Sequence, residues 1–295
     1  MADSRAQAYA QQLDLLTKQA EALSPEARAR ILKLLDEANK EILADLAKGV
    51  SAYNSARLQA LKAQIDRVMS QFADQAAAQV NEMERKAFEQ TARQIDVTVA
   101  AGVGELAVPA VLDVHLLKVV QGYTADLITG LTRDASAKIN AAIQRGAMGG
   151  MNLQQLVGQV GNVLEDGKFS GLFSQVGERA MSIAVNEIGR IQSLASVSRI
   201  NALAPRHPGL MKRWKHLLIG RPRLGHIAAD GQIRKPDEPF LVEGEELMYP
   251  RDPNGSAENT INCHCLVMPH FDDALLKPTD AERQLLKSYG LRVAA

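Results

Sequence analysis

Apolar residues recur every three or four positions over most of residues 1 to 204, the spacing of helices that each bury one stripe. In "SPEARARILKLLDEANKEILADLAKG", Ile31, Leu35, Ala38, Ile42 and Leu46 share a face. Ser24 is placed as the N-cap, Pro25 at the first helical position and Gly49 as the stop. A second stripe, Leu58, Leu61, Ile65, Val68, Phe72 and Ala76, predicts a longer helix running through Met83 to about Phe88. The stretch "AAGVGELAVPAV" (100–111) interrupts the repeat. Gly102 and Gly104 read as a turn, because a bare GxG lacks the rest of a nucleotide-binding fingerprint. Pro109 then fits the entry to a helix carrying Leu112, Leu116, Val119 and Val120. "GAMGGMN" (146–152) is a second break, and "NLQQLVGQVGNVLEDG" is a short amphipathic helix. The last long helix is predicted from about Leu172 to Ala204, with Ile183, Ile188, Ile191, Leu194, Val197 and Ile200 on its stripe. Its Glu187, Arg190 and Arg199 are expected on a solvated or subunit-facing edge.

From Pro205 the repeat fades and prolines, glycines and histidines become frequent. "DG" (230–231) and "RDPNG" (251–255) are turn signals, and "FLVEGEELMYP" suggests a short hairpin with a strand around Phe240 to Val242. The predicted fold is mainly α. A long helical region over residues 1–204 precedes a small, turn-rich α+β module over 205–273 and a short helix with a tail over 274–295.

Composition narrows the reading further. Lysine plus arginine equals aspartate plus glutamate at 34 each, so no whole-molecule field draws the chain to nucleic acid or membrane. One local exception is "RHPGLMKRWKHLLIGRPR" (206–223), with six Arg or Lys and no acid. Arg213, Lys215 and Arg221 within it are candidates for phosphate contact or for an acidic partner surface, such as "DEPFLVEGEE" (237–246). The polar N-terminus "MADSRAQAYAQQ" is unlike a secretory leader, and no run approaches the ~18 apolar residues of a membrane span.

Both cysteines sit in "INCHC" (261–265), as Cys263 and Cys265, and a pair spaced CxC is no disulfide framework. About forty residues upstream, "RLGHIAADGQ" holds His226 and Asp230. The intervening segment reads as an out-and-back excursion, which predicts that His226 meets the cysteines. Zinc is a candidate there, since Cys and His are donors that it favours. His264, His216, His270 or Asp230 would then supply a fourth ligand. Alternatively the cysteines are small buried side chains at a strand end, with His226, Asp230 and Asn262 hydrogen-bonding the turns. A redox pair or catalytic thiol has only proximity in its favour. Zinc deaminases need a histidine with a nearby glutamate and a later PCxxC, and this spacing differs. A metal-dependent hydrolase or nuclease using the His226, Asp230, Cys263 and Cys265 cluster is the enzymatic alternative; as a nuclease it would use His226 as base and Asp230 or Asp252 as metal ligands.

Read in order, Trp214, Arg223-x-x-His226, Asp230-Gly231, Phe240, "PRDP" with Asp252 and Pro253, and Asn262-Cys263-His264-Cys265 resemble the phage Mu F-like minor head proteins, also called phage head morphogenesis proteins. The resemblance covers roughly residues 175 to 270. It includes a lead-in helix, "AMSIAVNEIGRIQSLASVSRINALA". His264 departs from the pattern, which usually has arginine between the cysteines. The resemblance implies a non-enzymatic virion component of a tailed phage or prophage. Such a protein would act in head assembly near the portal, with portal, capsid or scaffolding proteins as partners and DNA as a possible one. It would reside in the virion after assembly in the host cytoplasm.

Overall fold

A computed structural model describes residues 4–49, 55–104, 114–149, 151–164, 168–217, 223–272 and 276. As the apolar spacing predicts, helices dominate up to residue 203 and the strands that form sheets follow. The helices are α1 (Ser4–Gly49), α2 (Ser55–Val103), α3 (Val114–Met148), α4 (Leu153–Val160) and α5 (Gly171–Leu203). After them come β1 (Met211–Lys215), α6 (Leu224–Ala229), β2 (Ile233–Arg234), β3 (Phe240–Val242), β4 (Glu245–Leu247), α7 (Ala257–Thr260) and β5 (Leu266–His270). The chain forms two compact units: residues 1–23, 84–117 and 188–295 in one, residues 24–83 and 118–187 in the other.

Three sequence expectations are corrected. Ser24 and Pro25 do not start a helix, because α1 runs through them from Ser4. A proline inside a helix removes one backbone bond and costs about 3 kcal/mol. Here the apolar stripe continues across it, with Tyr9, Leu16 and Leu23 buried before Pro25 and Ala27, Ile31 and Leu35 buried after it. Likewise α2 passes Phe88 and reaches Val103, burying Ala92, Ile95 and Val99. Gly102 is therefore helical. A Cβ there would lie 2.9 Å from the Phe271 ring, so the glycine makes room for that ring. Gly104, at φ 74°, takes the left-handed conformation that ends the helix. Finally, Glu187 and Arg190 are buried rather than solvated. Arg199 is only 15% exposed and pairs through Nε, 2.8 Å, and Nη2 with Asp96 Oδ1. The expected helix entry at Pro109, Arg221 and nearly all of 274–295 lie outside the described residues.

Among the described residues of the unit containing 24–83 and 118–187, the regular elements are helices, apart from one isolated bridge, Val163 to Phe169. Its α4 begins with a reciprocal cap: Asn152 Oδ1 accepts from the Gln155 N–H and Gln155 Oε1 accepts from the Asn152 N–H. Asp66 Oδ1 accepts from Ser136 Oγ and, at 2.8 Å, from Asn140 Nδ2.

The other unit holds the strands. β1 lies between β2 and β5, antiparallel to both, with Trp214 opposite Val267 and Lys215 opposite Leu266. β3 and β4 form the expected hairpin through Glu243 and Gly244. Both turn residues have positive φ, 49° and 84°, the primed geometry that suits strand twist. Trp214, Phe240, Val242, Leu247, Cys263, Cys265 and Met268 form one buried cluster with Tyr9, Ile95, Val197 and Ile200. Tyr9 Oη donates to the Pro269 carbonyl at 2.6 Å, and its ring meets Phe271 edge to face at 5.9 Å.

Candidate functional site: a buried Cys-His-Cys cluster

α6 places His226 on its inward side, where the ring is 2% exposed. The helix ends at Asp230, and Gly231, at φ 79°, turns the chain into β2. Asp230 serves that turn: its Oδ1 accepts from the His216 N–H at 2.8 Å, and its Oδ2 lies 3.8 Å from Lys215 Nζ. The chain then passes through the β3–β4 hairpin to "PRDPNG". Asp252 is a turn former there, accepting from the backbone N–H groups of Met248 and Asn254 at 2.8 and 3.0 Å. Pro253 follows in the same turn. Ser256 caps α7. Asn262, at φ 55°, then redirects the backbone so that Cys263 and Cys265 enter the core just before β5. Asparagine tolerates this left-handed conformation better than most residues.

The predicted convergence of His226 with the cysteines is present. His226 Nδ1 lies 3.5 Å from Cys263 Sγ and 3.5 Å from Cys265 Sγ. Both cysteines are free thiols and buried. Among the described residues, these three alone form a cluster of metal-ligating side chains, with donor atoms all within 4.8 Å of one another. Asp230, His264, His216 and His270 do not join it. His264 lies between two inward-facing cysteines and is half-buried, and His270 Nε2 sits 3.6 Å from Asp272 Oδ1.

Electrostatics polarise the trio. Hydrogen bonding to Cys265, then to His226, holds the Cys263 thiol well below its ordinary range, against the opposing effect of burial. Cys265 is pushed up by its hydrogen bond with Cys263 and by burial. The Cys263 contact raises His226 despite desolvation. One negative charge is thus favoured on the coupled pair, beside the imidazole. Trp214 walls the site, its ring edge-on to His226 at 6.0 Å and to Phe240 at 5.3 Å. Its indole N–H is buried and has no hydrogen-bond partner among the described residues.

Three supporting residues escaped the sequence reading. Asn259 Oδ1 meets His226 Nε2 at 3.3 Å. The Glu245 carboxyl is held low first by Ser256 and then by the Asn259 side chain, and its Oε2 accepts from the Ser256 N–H at 2.9 Å. Arg251, 4% exposed and at φ 66°, donates from Nη1 to the Cys265 carbonyl at 3.3 Å. Its guanidinium lies over Gly189 of the lead-in helix, where a Cβ would come within 2.2 Å of Cζ. Its own carbonyl accepts from Arg190 Nε at 3.0 Å. The pattern Ser256-x-x-Asn259 was a usable N-cap signal for α7; a left-handed arginine has none.

The basic run divides between two faces. Lys212 is fully buried on the Trp214 side of β1, whereas Arg213 and Lys215 are half-buried on the other. Arg223 Nη2 donates to the Ile261 carbonyl at 2.6 Å, linking the start of α6 to the segment before Asn262.

Residues 137–268 match the family model described as "Phage Mu protein F like protein". This segment is similar to Mu F-like proteins. It starts within α3, includes α4 and the lead-in helix α5, and ends in β5, so the whole Cys-His-Cys cluster lies inside it. The chain is also 32% identical over 111 residues to "Uncharacterized protein YqbB" of Bacillus subtilis (strain 168), covering 36% of this chain and 35% of that protein. The chain thus matches about a third of that relative's length. No solved structure matches. No helix among the described residues is long and apolar enough to cross a membrane.

Proposed function

We propose that the protein is a minor head protein of a tailed phage or prophage that acts in head assembly near the portal vertex and enters the virion. The observation that carries this reading is the Mu F-like match over residues 137–268, which takes in the lead-in helix as well as the strand-bearing module. The architecture is compatible with a scaffolding role rather than turnover. The cluster's three side chains are buried, His226 and Cys263 each 2% exposed and Cys265 1%, which leaves a substrate no direct approach. On α3, Val119 and Tyr123 stand one turn apart and are 60% and 50% exposed, a surface suited to contact with portal, capsid or scaffolding proteins. The basic run would meet an acidic partner surface rather than DNA, because the chain carries no net charge to draw it toward phosphates.

The test is disruption of the gene in the phage or prophage that encodes it. Mass spectrometry should find the chain in purified proheads and virions at low copy, co-isolating with the portal. Its loss should lower the yield of filled heads seen by electron microscopy. A normal yield of infectious particles without the chain, together with its absence from wild-type proheads, would overturn the proposal.

A further inference from the structure

We propose that His226, Cys263 and Cys265 are the protein ligands of one zinc ion that ties the two ends of the C-terminal module together. The first argument is distance. Zinc bonds of about 2.0–2.1 Å to nitrogen and about 2.3 Å to sulfur, opened to a tetrahedral angle, put the nitrogen and sulfur about 3.5–3.6 Å apart. Both Nδ1–Sγ separations are 3.5 Å.

The second argument is valence. An imidazole nitrogen offers either one lone pair or one N–H. One of these cannot be well directed at two sulfurs, yet both sulfurs sit at the same distance. A cation between the three satisfies every donor at once.

The third argument concerns the other ring nitrogen. Asn259 Oδ1 lies 3.3 Å from His226 Nε2, and an amide oxygen can only accept. Nε2 must then carry the proton, leaving the Nδ1 lone pair aimed at the sulfurs. Metal-binding histidines are held in this way by a second hydrogen bond. Trp214, fully buried and with its ring edge-on to the imidazole at 6.0 Å, shields the site from solvent. Two thiolates would neutralise the divalent charge, so the buried complex carries no net charge.

A Cys2His set leaves one tetrahedral position, and no fourth Cys, His, Asp or Glu among the described residues belongs to the group. The position falls to a ligand other than those side chains.

The experiment uses the tag-free full chain from zinc-supplemented cultures. Elemental analysis should find one zinc per chain. Replacing zinc with Co2+ should give a sulfur-to-cobalt charge-transfer band and the intense visible bands of four-coordinate cobalt. Cys263→Ser, Cys265→Ser and His226→Ala should each lose the metal. Asn259→Ala does not remove a ligand and guards against a trivial unfolding result. In competition with a chromophoric chelator it should weaken zinc binding by about 10–100-fold. A folded wild-type chain with less than about a tenth of an equivalent of zinc and no cobalt–sulfur band would overturn the proposal. So would zinc content unchanged in both cysteine variants. Equal zinc affinity in Asn259→Ala and wild type would overturn the assignment of Nδ1 as the histidine ligand.

Discussion

Lys212 offers the sharpest test of how this core is built. It is fully buried beside Trp214, with Nζ donating to the Met248 carbonyl at 3.0 Å and standing 5.0 Å from the Phe240 ring centre. Burial lowers its pKa to about 8, although Asp237, Asp252 and Glu238 pull the other way. In the unfolded chain it titrates near its ordinary value of about 10.4. Below pH 8 the lysine is charged in both states, and the folded state bears the desolvation cost. Between about pH 8 and 10 the folded state has lost the proton while the unfolded state keeps it. The unfolded state then binds more protons, so this contribution to stability rises with pH and is lost as pH falls through 8. One proton sets a ceiling of about 1.4 kcal/mol per pH unit. Solvent screening around a group with nearby acids brings the expected slope to about 0.5–1 kcal/mol per pH unit. Lys212→Met keeps the apolar stem and removes the titration. The assay is urea denaturation of both proteins from pH 7.5 to 9.5, followed by fluorescence of Trp214, the sole tryptophan. Other groups titrate in the same window, and Tyr249, raised to about 12 by burial, opposes the trend near its upper end. The wild-type minus Lys212→Met difference removes their contributions. That difference should move in favour of the wild type as pH rises. Parallel stability curves would refute the burial argument.

Two further outcomes follow from single contacts. Tyr9→Phe leaves the buried Pro269 carbonyl without its 2.6 Å donor and should cost about 1–3 kcal/mol, measured by the same unfolding assay. Asp96→Ala strands the largely buried Arg199 guanidinium and should cost about 3–5 kcal/mol, with Asp96→Ala/Arg199→Met recovering a substantial part.

The helices were legible because their burial follows a 3.6-residue repeat, and a repeat survives local interruptions. Their ends were less so. Ser24-Pro25 is a good helix start by local chemistry, yet a stripe extending from Tyr9 to Leu46 outweighs one lost backbone bond. Gly102 resembled a turn because its role, admitting the Phe271 ring, depends on a residue 169 positions away. The same limit hid the buried charges. Arg199 and Asp96 are 103 residues apart, and nothing in either neighbourhood names the partner. At the site, histidine and cysteine announce themselves as donors, whereas Asn259, Glu245 and Arg251 gain their roles only from the fold.

The convergence of the cysteines on His226 depends less on a hairpin-like return than on the register of β1 with β5. Trp214 opposite Val267 and Lys215 opposite Leu266 fix where the chain arrives, and Cys265 is the residue immediately before Leu266. Along β1, buried Lys212 and Trp214 alternate with half-buried Met211, Arg213 and Lys215. A slip of one residue would reverse that alternation across the whole strand. It would turn Trp214 out of the core and move Cys265 relative to His226 in the same step. The apolar core and the Cys-His-Cys cluster are therefore not independent features of the module. The pairing that buries Trp214 is also the pairing that delivers both sulfurs to Nδ1.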